Sequence, residues 1–292
     1  MNLKLPAHPP FYLSSVIHSH GWARLAPFHH DEGEEALEYI YYSQNSKVIK
    51  LNIKEVAGGV AVGTQGEVNQ KDQKEITTAI TWMLALNEDF SEFYQHTKGV
   101  PKLSQVEEKA QGRLLRSPTL FEDTIKTILT TNTSWAGTIR MTESLVKQYG
   151  EPLPGKTAEY SFPTPERIAS SNEQTLRDIT RLGYRSPYIL KLAREISSGS
   201  LDLEALKSDK VPGGQLHSKL TSIKGVGNYA AANLMMLLGH YDYLTIDSWA
   251  IKMVSQEFFN GESIEPKDVE EIFEPWGKWK GLAYWLWNWS DN

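Results

Sequence analysis

Two rhythms of apolar positions divide the chain. Ala36–Tyr42 and Lys47–Val56 are rich in β-branched and aromatic residues, and Val48, Ile49, Leu51 and Ile53 mostly alternate with polar neighbours, which predicts strands. Gly58-Gly59 predicts a turn and Val60–Thr64 a short returning strand. The period then lengthens. Ile76, Ile80, Met83 and Leu84 share one face of a helix over Lys74–Leu86, and a second helix covers Ser91–Gln95 before Gly99 and Pro101 end it. The expectation is a mixed α/β domain over residues 1–100 and a helical domain over 101–292.

Past Pro101 helix starts recur. Ser117-Pro118 predicts an N-cap followed by proline at the first helical position, with Glu122 and Asp123 in the first turns and Phe121, Ile125, Ile128 and Leu129 as the apolar face. That helix ends near Thr130–Thr133; another runs from about Ser134 to Gly150. Thr164-Pro165 and Ser186-Pro187 repeat the cap-then-proline start, with Leu182-Gly183-Tyr184-Arg185 between them. Further helices are expected over Ser248–Glu257, after Glu265-Pro266, and over the aromatic-rich Trp276–Trp289.

The stretch Leu220–Val254 organises the rest, reading helix, glycine turn, helix, loop, then Asp247 opening another helix. Two glycines within three residues, Gly225 and Gly227, would cost a continuous helix roughly 2 kcal/mol. They suit a hairpin with positive φ and exposed N–H groups instead. The helix from about Asn228 then points its free N–H groups at the hairpin, which makes an anion site without a charged side chain.

Composition narrows the chemistry. With no cysteine there is no disulfide, no thiolate metal site, no thiol nucleophile and no cysteine-held iron–sulfur cluster. The apolar and charged fractions, 40% and 23%, are those of a soluble globular protein, and no apolar run reaches a membrane span. The N-terminal stretch lacks a signal-peptide core, so a cytoplasmic protein without membrane partners is expected. The net charge of −6 does not advertise nucleic-acid binding. Screening makes a local basic face matter more than the sum, and Arg113, Arg116, Lys126, Arg140, Arg181, Arg185, Lys219, Lys224 and Lys252 fall in the stretches expected against DNA. They also read as solvated helix faces. His18, His20, His29 and His30 cluster without metal-ligand spacing.

The hairpin with its following Asp resembles the signature of the helix-hairpin-helix (HhH-GPD) DNA glycosylase superfamily. GRLLRSPTLFEDTIKTILTTNTSW, FPTPERIA, LGYRSPYI and EPWGKWKGLAYWLW resemble successive segments of 3-methyladenine glycosylase II and 8-oxoguanine glycosylase, so the likeness runs from about Gly112 to Trp289. It implies an α+β fold: a small N-terminal antiparallel-sheet domain, then two all-α lobes with the helix-hairpin-helix at 220–239 and an active-site cleft between the lobes. It also implies a monomer acting on double-stranded DNA that carries a damaged base, bound at the nucleoid.

Such an enzyme flips the base and breaks the C1′–N bond through an oxocarbenium-like state. The resemblance makes Asp247, eighteen residues beyond Tyr229, the carboxylate that stabilises the cation and handles water. Asp247 equally reads as the N-cap of the next helix. Strand-cutting members carry Lys where this chain has Tyr229, and a phenol cannot form a Schiff base, so the resemblance implies a monofunctional hydrolase acting on an alkylated purine. Tyr229, Asn233, Trp249 and Trp285 match the base pocket, with packing as the alternative for Tyr229, Trp249 and Trp285. Asn233 and Gly281 depart from the 8-oxoguanine pattern, and Asn233 also departs from an all-aromatic clamp. Asn132 matches the residue pushed into the duplex, and Tyr184 and Arg185 match those handling the opposite base; a helix terminator and a surface charge are the alternatives for Asn132 and Arg185. Lys224, Gly225 and Gly227 match the phosphate grip, and the carbonyls of Thr221, Ile223 and Val226 an optional Na+ or K+ site. No other cofactor is implied. A non-catalytic helix-hairpin-helix DNA-binding protein, or a glycosylase for oxidised or deaminated bases, remains the alternative.

Overall fold

The computed structural model describes residues 2–65, 68–156, 158–208, 211–244, 246 and 248–289. Two compact units divide the chain: Met1–Asp89 with Glu108–Lys207, and Phe90–Glu107 with Ser208–Asn292. The sheet thus shares a unit with the helices of residues 1–89 and 108–207, whereas the sequence suggested a division near residue 100.

In the first unit, β1 (Asn2–Pro6), β2 (Phe28–Asp31), β3 (Ala36–Tyr42), β4 (Val48–Val56) and β5 (Gly59–Gln65) form one antiparallel sheet in the order β1-β5-β4-β3-β2, with α1 (Leu13–Ile17) between the first two strands. β4 shows why the alternation was readable: Ile49, Leu51 and Ile53 are fully buried while Lys50, Asn52 and Lys54 face the other way. β1 and β2 carried no such signal. β1 is an edge strand ended by Pro6, and β2 is Phe-His-His-Asp; both exist through their partners, Leu5 opposite Val60 and Phe28 opposite Tyr39.

α2 (Gln70–Met83) starts four residues before the expected Lys74, because Asn69 and Asp72 close a reciprocal capping box. The helices of this unit continue with α4 (Leu120–Thr130), α5 (Trp135–Tyr149), α6 (Pro165–Ala169), α7 (Glu173–Thr180) and α8 (Ser186–Ser197), while α3 (Ser91–Thr97) belongs to the second unit. Two expected caps move. Ser117 does not cap α4: its N–H donates to Asp123 Oδ1 (2.9 Å), and Thr119 takes the capping role by accepting from the Glu122 N–H. Ser186 lies inside α8 with helical angles, because the 3-10 turn Gly183–Arg185 runs straight into the helix.

α4 is buried along its length, and its acids do more than favour the helix dipole. Tyr39 Oη and Lys126 Nζ each donate to Glu122 at 2.6 Å, and Trp22 Nε1 donates to Asp123 Oδ1 at 2.8 Å, tying the sheet side to the helix. His20 completes this layer. A carbonyl only accepts, so His20 carries its proton on Nε2 toward the Leu115 carbonyl (2.7 Å) and accepts the Trp22 N–H on Nδ1, the neutral form. Burial holds its pKa down at about 4.

The second unit holds α9 (Gly213–Ser222), α10 (Asn228–Leu237), α11 (Ser248–Phe258), α12 (Pro266–Phe273) and α13 (Lys280–Trp289). The expected helix over Trp276–Trp289 starts late. Glu274–Trp279 is a 3-10 stretch broken at Gly277 (φ 53°, ψ −123°), and Pro275 cannot donate to a preceding turn. Trp276 and Trp279 enter a core with Phe90, Phe93 and Tyr241; the Tyr241 and Trp279 rings stack at 5.5 Å. No helix among the described residues is long and apolar enough to cross a membrane.

Candidate nucleic-acid interface and catalytic site

The hairpin forms as its glycines require. α9 stops at Ser222, the Val226 N–H donates to the Ile223 carbonyl (3.0 Å), and α10 begins at Asn228 with Gly227 as cap residue. Of the two hairpin glycines only Gly225 uses positive φ (95°); Gly227 is extended (φ −90°, ψ −177°), so its value lies elsewhere. A Cβ on Gly227 would meet nothing within 4 Å, which leaves that backbone open to an approaching group. Ile223 and Val226 are buried and anchor the turn, while Lys224, Gly227 and Tyr229 are exposed. A turn pinned from inside with bare N–H groups outside is suited to one phosphate.

The Thr221, Ile223 and Val226 carbonyls lie on this turn, and the Ile223 oxygen keeps one lone pair after accepting from Val226. An all-oxygen donor set fits a hard monovalent cation. Of the four early histidines, His18 and His30 meet edge to face at 5.3 Å; among the described residues no three His, Cys, Asp or Glu side chains are grouped so as to hold a metal ion.

Asp247 and Thr245 lie outside the described residues; so does the test of Asp247 as an N-cap. The loop leading to Asp247 is described over residues 239–244 and at Ile246, and it is braced from two helices. The Tyr243 ring stacks on His217 of α9 at 4.7 Å, with Oη 3.0 Å from Nε2. Gly281 of α13 donates its N–H to the Tyr241 carbonyl at 2.8 Å. A Cβ on Gly281 would fall 2.3 Å from the Tyr243 carbonyl oxygen, so no side chain fits at this position. The His217–Tyr243 brace had no sequence signal, since the two residues lie on separate elements.

The expected base-pocket residues take different settings. Tyr229 is 50% exposed and Trp249 56%, which excludes packing as their main role. Lys252 Nζ sits 6.0 Å over the Trp249 ring. Asn233, one turn beyond Tyr229, is half-buried, and its Nδ2 donates to the Tyr229 carbonyl (3.0 Å). Trp285 is half-buried on α13, unlike the buried Trp276 and Trp279.

In the first unit, Asn132, Tyr184 and Arg185 come together. Asn132 turns the chain between α4 and α5 in a left-handed conformation (φ 47°) that asparagine tolerates, and its Nδ2 donates to Tyr184 Oη at 3.4 Å. Both are exposed. The bonds with Thr131 and Asn132, chiefly the former, lower the Tyr184 pKa. Arg185 is buried, which sets aside the surface-charge alternative: its guanidinium donates to the Thr131 and Asn132 carbonyls and lies 4.5 Å from the Tyr184 ring.

The basic residues expected against DNA divide likewise. Arg140, Arg181, Lys219, Lys224 and Lys252 are exposed. Arg113, Arg116 and Lys126 are buried and serve the fold. Arg113 donates to the carbonyls of His8, Pro10, Ala85 and Glu88, and Arg116 lies 4.4 Å over the Trp82 ring beside Glu88.

Helix, phosphate-sized hairpin and helix, with exposed aromatics alongside, define a helix-hairpin-helix nucleic-acid-binding protein. The profile of the HhH-GPD superfamily of base excision DNA repair proteins matches residues 125–278, and the chain belongs to that superfamily. The DNA-3-methyladenine glycosylase of Bacillus subtilis (strain 168) is 28% identical over 225 residues, covering 75% of this chain and 74% of its own. The fold matches the 3-methyladenine DNA glycosylase from Archaeoglobus fulgidus with a TM-score of 0.76 at 20% identity, covering 99% of this chain and 98% of that one. It matches the Clostridium acetobutylicum 8-oxoguanine glycosylase/lyase with a TM-score of 0.74 at 19% identity, covering 99% and 98%.

Proposed function

We propose that this chain is a monofunctional DNA glycosylase of base excision repair that hydrolyses the N-glycosidic bond of an extruded alkylated purine and leaves an abasic site. The observation that carries the reading is Tyr229: it stands half-exposed at the start of α10, two residues past the second hairpin glycine, where Schiff-base chemistry would need an amine. Water is therefore the nucleophile. Asp247 is the residue that faces the developing positive charge at C1′ and orients or deprotonates that water.

The remaining roles follow the exposed residues. The N–H groups of the hairpin around Gly225 and Gly227, with Lys224, grip a phosphate of double-stranded DNA. Tyr229, Trp249 and Trp285 offer ring surface to the flipped base, and stacking of this kind contributes about 1–3 kcal/mol per base. Asn132 fills the gap left in the duplex, steadied by Tyr184. A Na+ or K+ ion held by the Thr221, Ile223 and Val226 carbonyls would stiffen the hairpin. The enzyme works as a monomer in the cytoplasm, at the nucleoid.

Incubation with methylated DNA tests the reading. Free base is expected in the soluble fraction, with strand breaks only after alkali. Breaks without alkali would contradict the monofunctional assignment, and lesion binding without base release would favour a non-catalytic DNA-binding protein.

A further inference from the structure

α10 turns nearly all of its surface inward: residues 230–232 and 234–237 are buried. Tyr229 and Asn233, one turn apart, share the outward stripe beside the hairpin. The bond between them fixes more than a rotamer. A main-chain carbonyl can only accept, so the group 3.0 Å from the Tyr229 oxygen is the Asn233 NH2, and the amide cannot be turned over without losing that bond. Oδ1 is then the atom of the amide left outside that bond, and among the described residues no donor reaches it. The donor half of the amide is engaged and the acceptor half is presented.

We infer that Asn233 Oδ1 reads the edge of the extruded base and selects purine lesions that keep an exocyclic amino group over lesions whose amino group is missing or closed into a ring. This rests on the glycosylase reading above and names its substrate class. An acceptor enclosed against a base is satisfied only by an N–H; facing a C–H or another lone pair, it is desolvated without compensation. Alkylation on the ring strengthens the case, because a cationic purine makes its amino group a better donor and draws it to the negative end of the amide dipole. An aromatic side chain here would stack on a base without distinguishing these edges. The polar reading and the stacking by Tyr229 are complementary, one set by the edge and the other by the face.

Binding separates this inference from catalysis. The probes are duplexes carrying the hydrolysis-resistant base 3-methyl-3-deazaadenine, or the same base without its 6-amino group, titrated by fluorescence anisotropy against the full chain. Wild-type protein is expected to hold the amino-bearing duplex about tenfold more tightly. Asn233→Leu, of similar size but without the acceptor, should bring the two affinities within about twofold, and Asn233→Ala should do the same if the larger side chain disturbs α10. Equal affinities in the wild type, a ratio unchanged in both variants, or no preference for either lesion over undamaged DNA would overturn the inference. Base release from methylated DNA by the same wild-type preparation reports on the glycosylase reading separately: release without an amino preference refutes only the role of Asn233.

Discussion

The Arg185 guanidinium donates to the main-chain carbonyl of Thr131, 54 positions away, so a buried cation holds the turn that presents Asn132. Both that carbonyl and the neighbouring Asn132 carbonyl accept from the same nitrogen, Nη2, while the guanidinium plane lies against the Tyr184 ring. Arg185→Ala should lower the unfolding free energy by about 3 kcal/mol, and Arg185→Lys should recover only part of it, since an ammonium has no plane to lay against the Tyr184 ring. Urea denaturation checks this; an unchanged midpoint in Arg185→Ala would mean that the turn stands without it.

Two buried groups give the first unit opposite responses to pH. Burial raises Asp123 to about 6, against the bonds from Ser117 and Trp22, so its contribution is complete below pH 3.8 and is lost as pH rises through about 6. His20 is lowered to about 4, again by burial, so its contribution is present above pH 6.5 and is lost as pH falls toward 4. Between pH 4 and 6 the two slopes offset. Asp123→Asn removes one of them, and its stability relative to wild type should rise across that window, by on the order of 3 kcal/mol. Denaturation at a series of pH values gives the difference directly; a pH-independent difference would refute the assignment.

Gly281→Gln would place a side chain where the Tyr241 and Tyr243 carbonyls already sit. The clash should lower the melting temperature by about 5 °C or more and slow base release, because the same loop leads to Asp247. Normal melting and normal turnover would show that the α13 approach to this loop is looser than its geometry.

Tyr229→Lys supplies the missing amine. Wild-type protein should give no borohydride-trapped adduct with abasic DNA, and the variant should give one, visible as a shifted band on a denaturing gel. A trapped wild type would mean that another amine, such as Lys224 or Lys219, reaches the sugar.

How far the sequence disclosed all this depends on whether the information is local. The hairpin, the capped start at Thr164, the helix beginning about Ser134 and the alternation in β4 depend on neighbours within a few residues, and the structure has them where expected. β1 and β2 depend on pairing with distant strands, and α7 was not legible at all. Charge misled most. Lys126, Arg113, Arg116 and Arg185 look like DNA-facing cations in sequence, and only the folded chain brings Glu122, Glu88 and a set of main-chain carbonyls to them. The exposed Tyr184, Tyr229 and Trp249 ran the other way: residue type alone could not exclude a core role, and exposure does.

The central claim is that Asp247 performs the chemistry. Single-turnover release of free base from methylated duplex DNA should fall by at least about a thousandfold in Asp247→Asn, with lesion-duplex affinity within a few-fold of wild type. Release at the wild-type rate by Asp247→Asn would contradict the account.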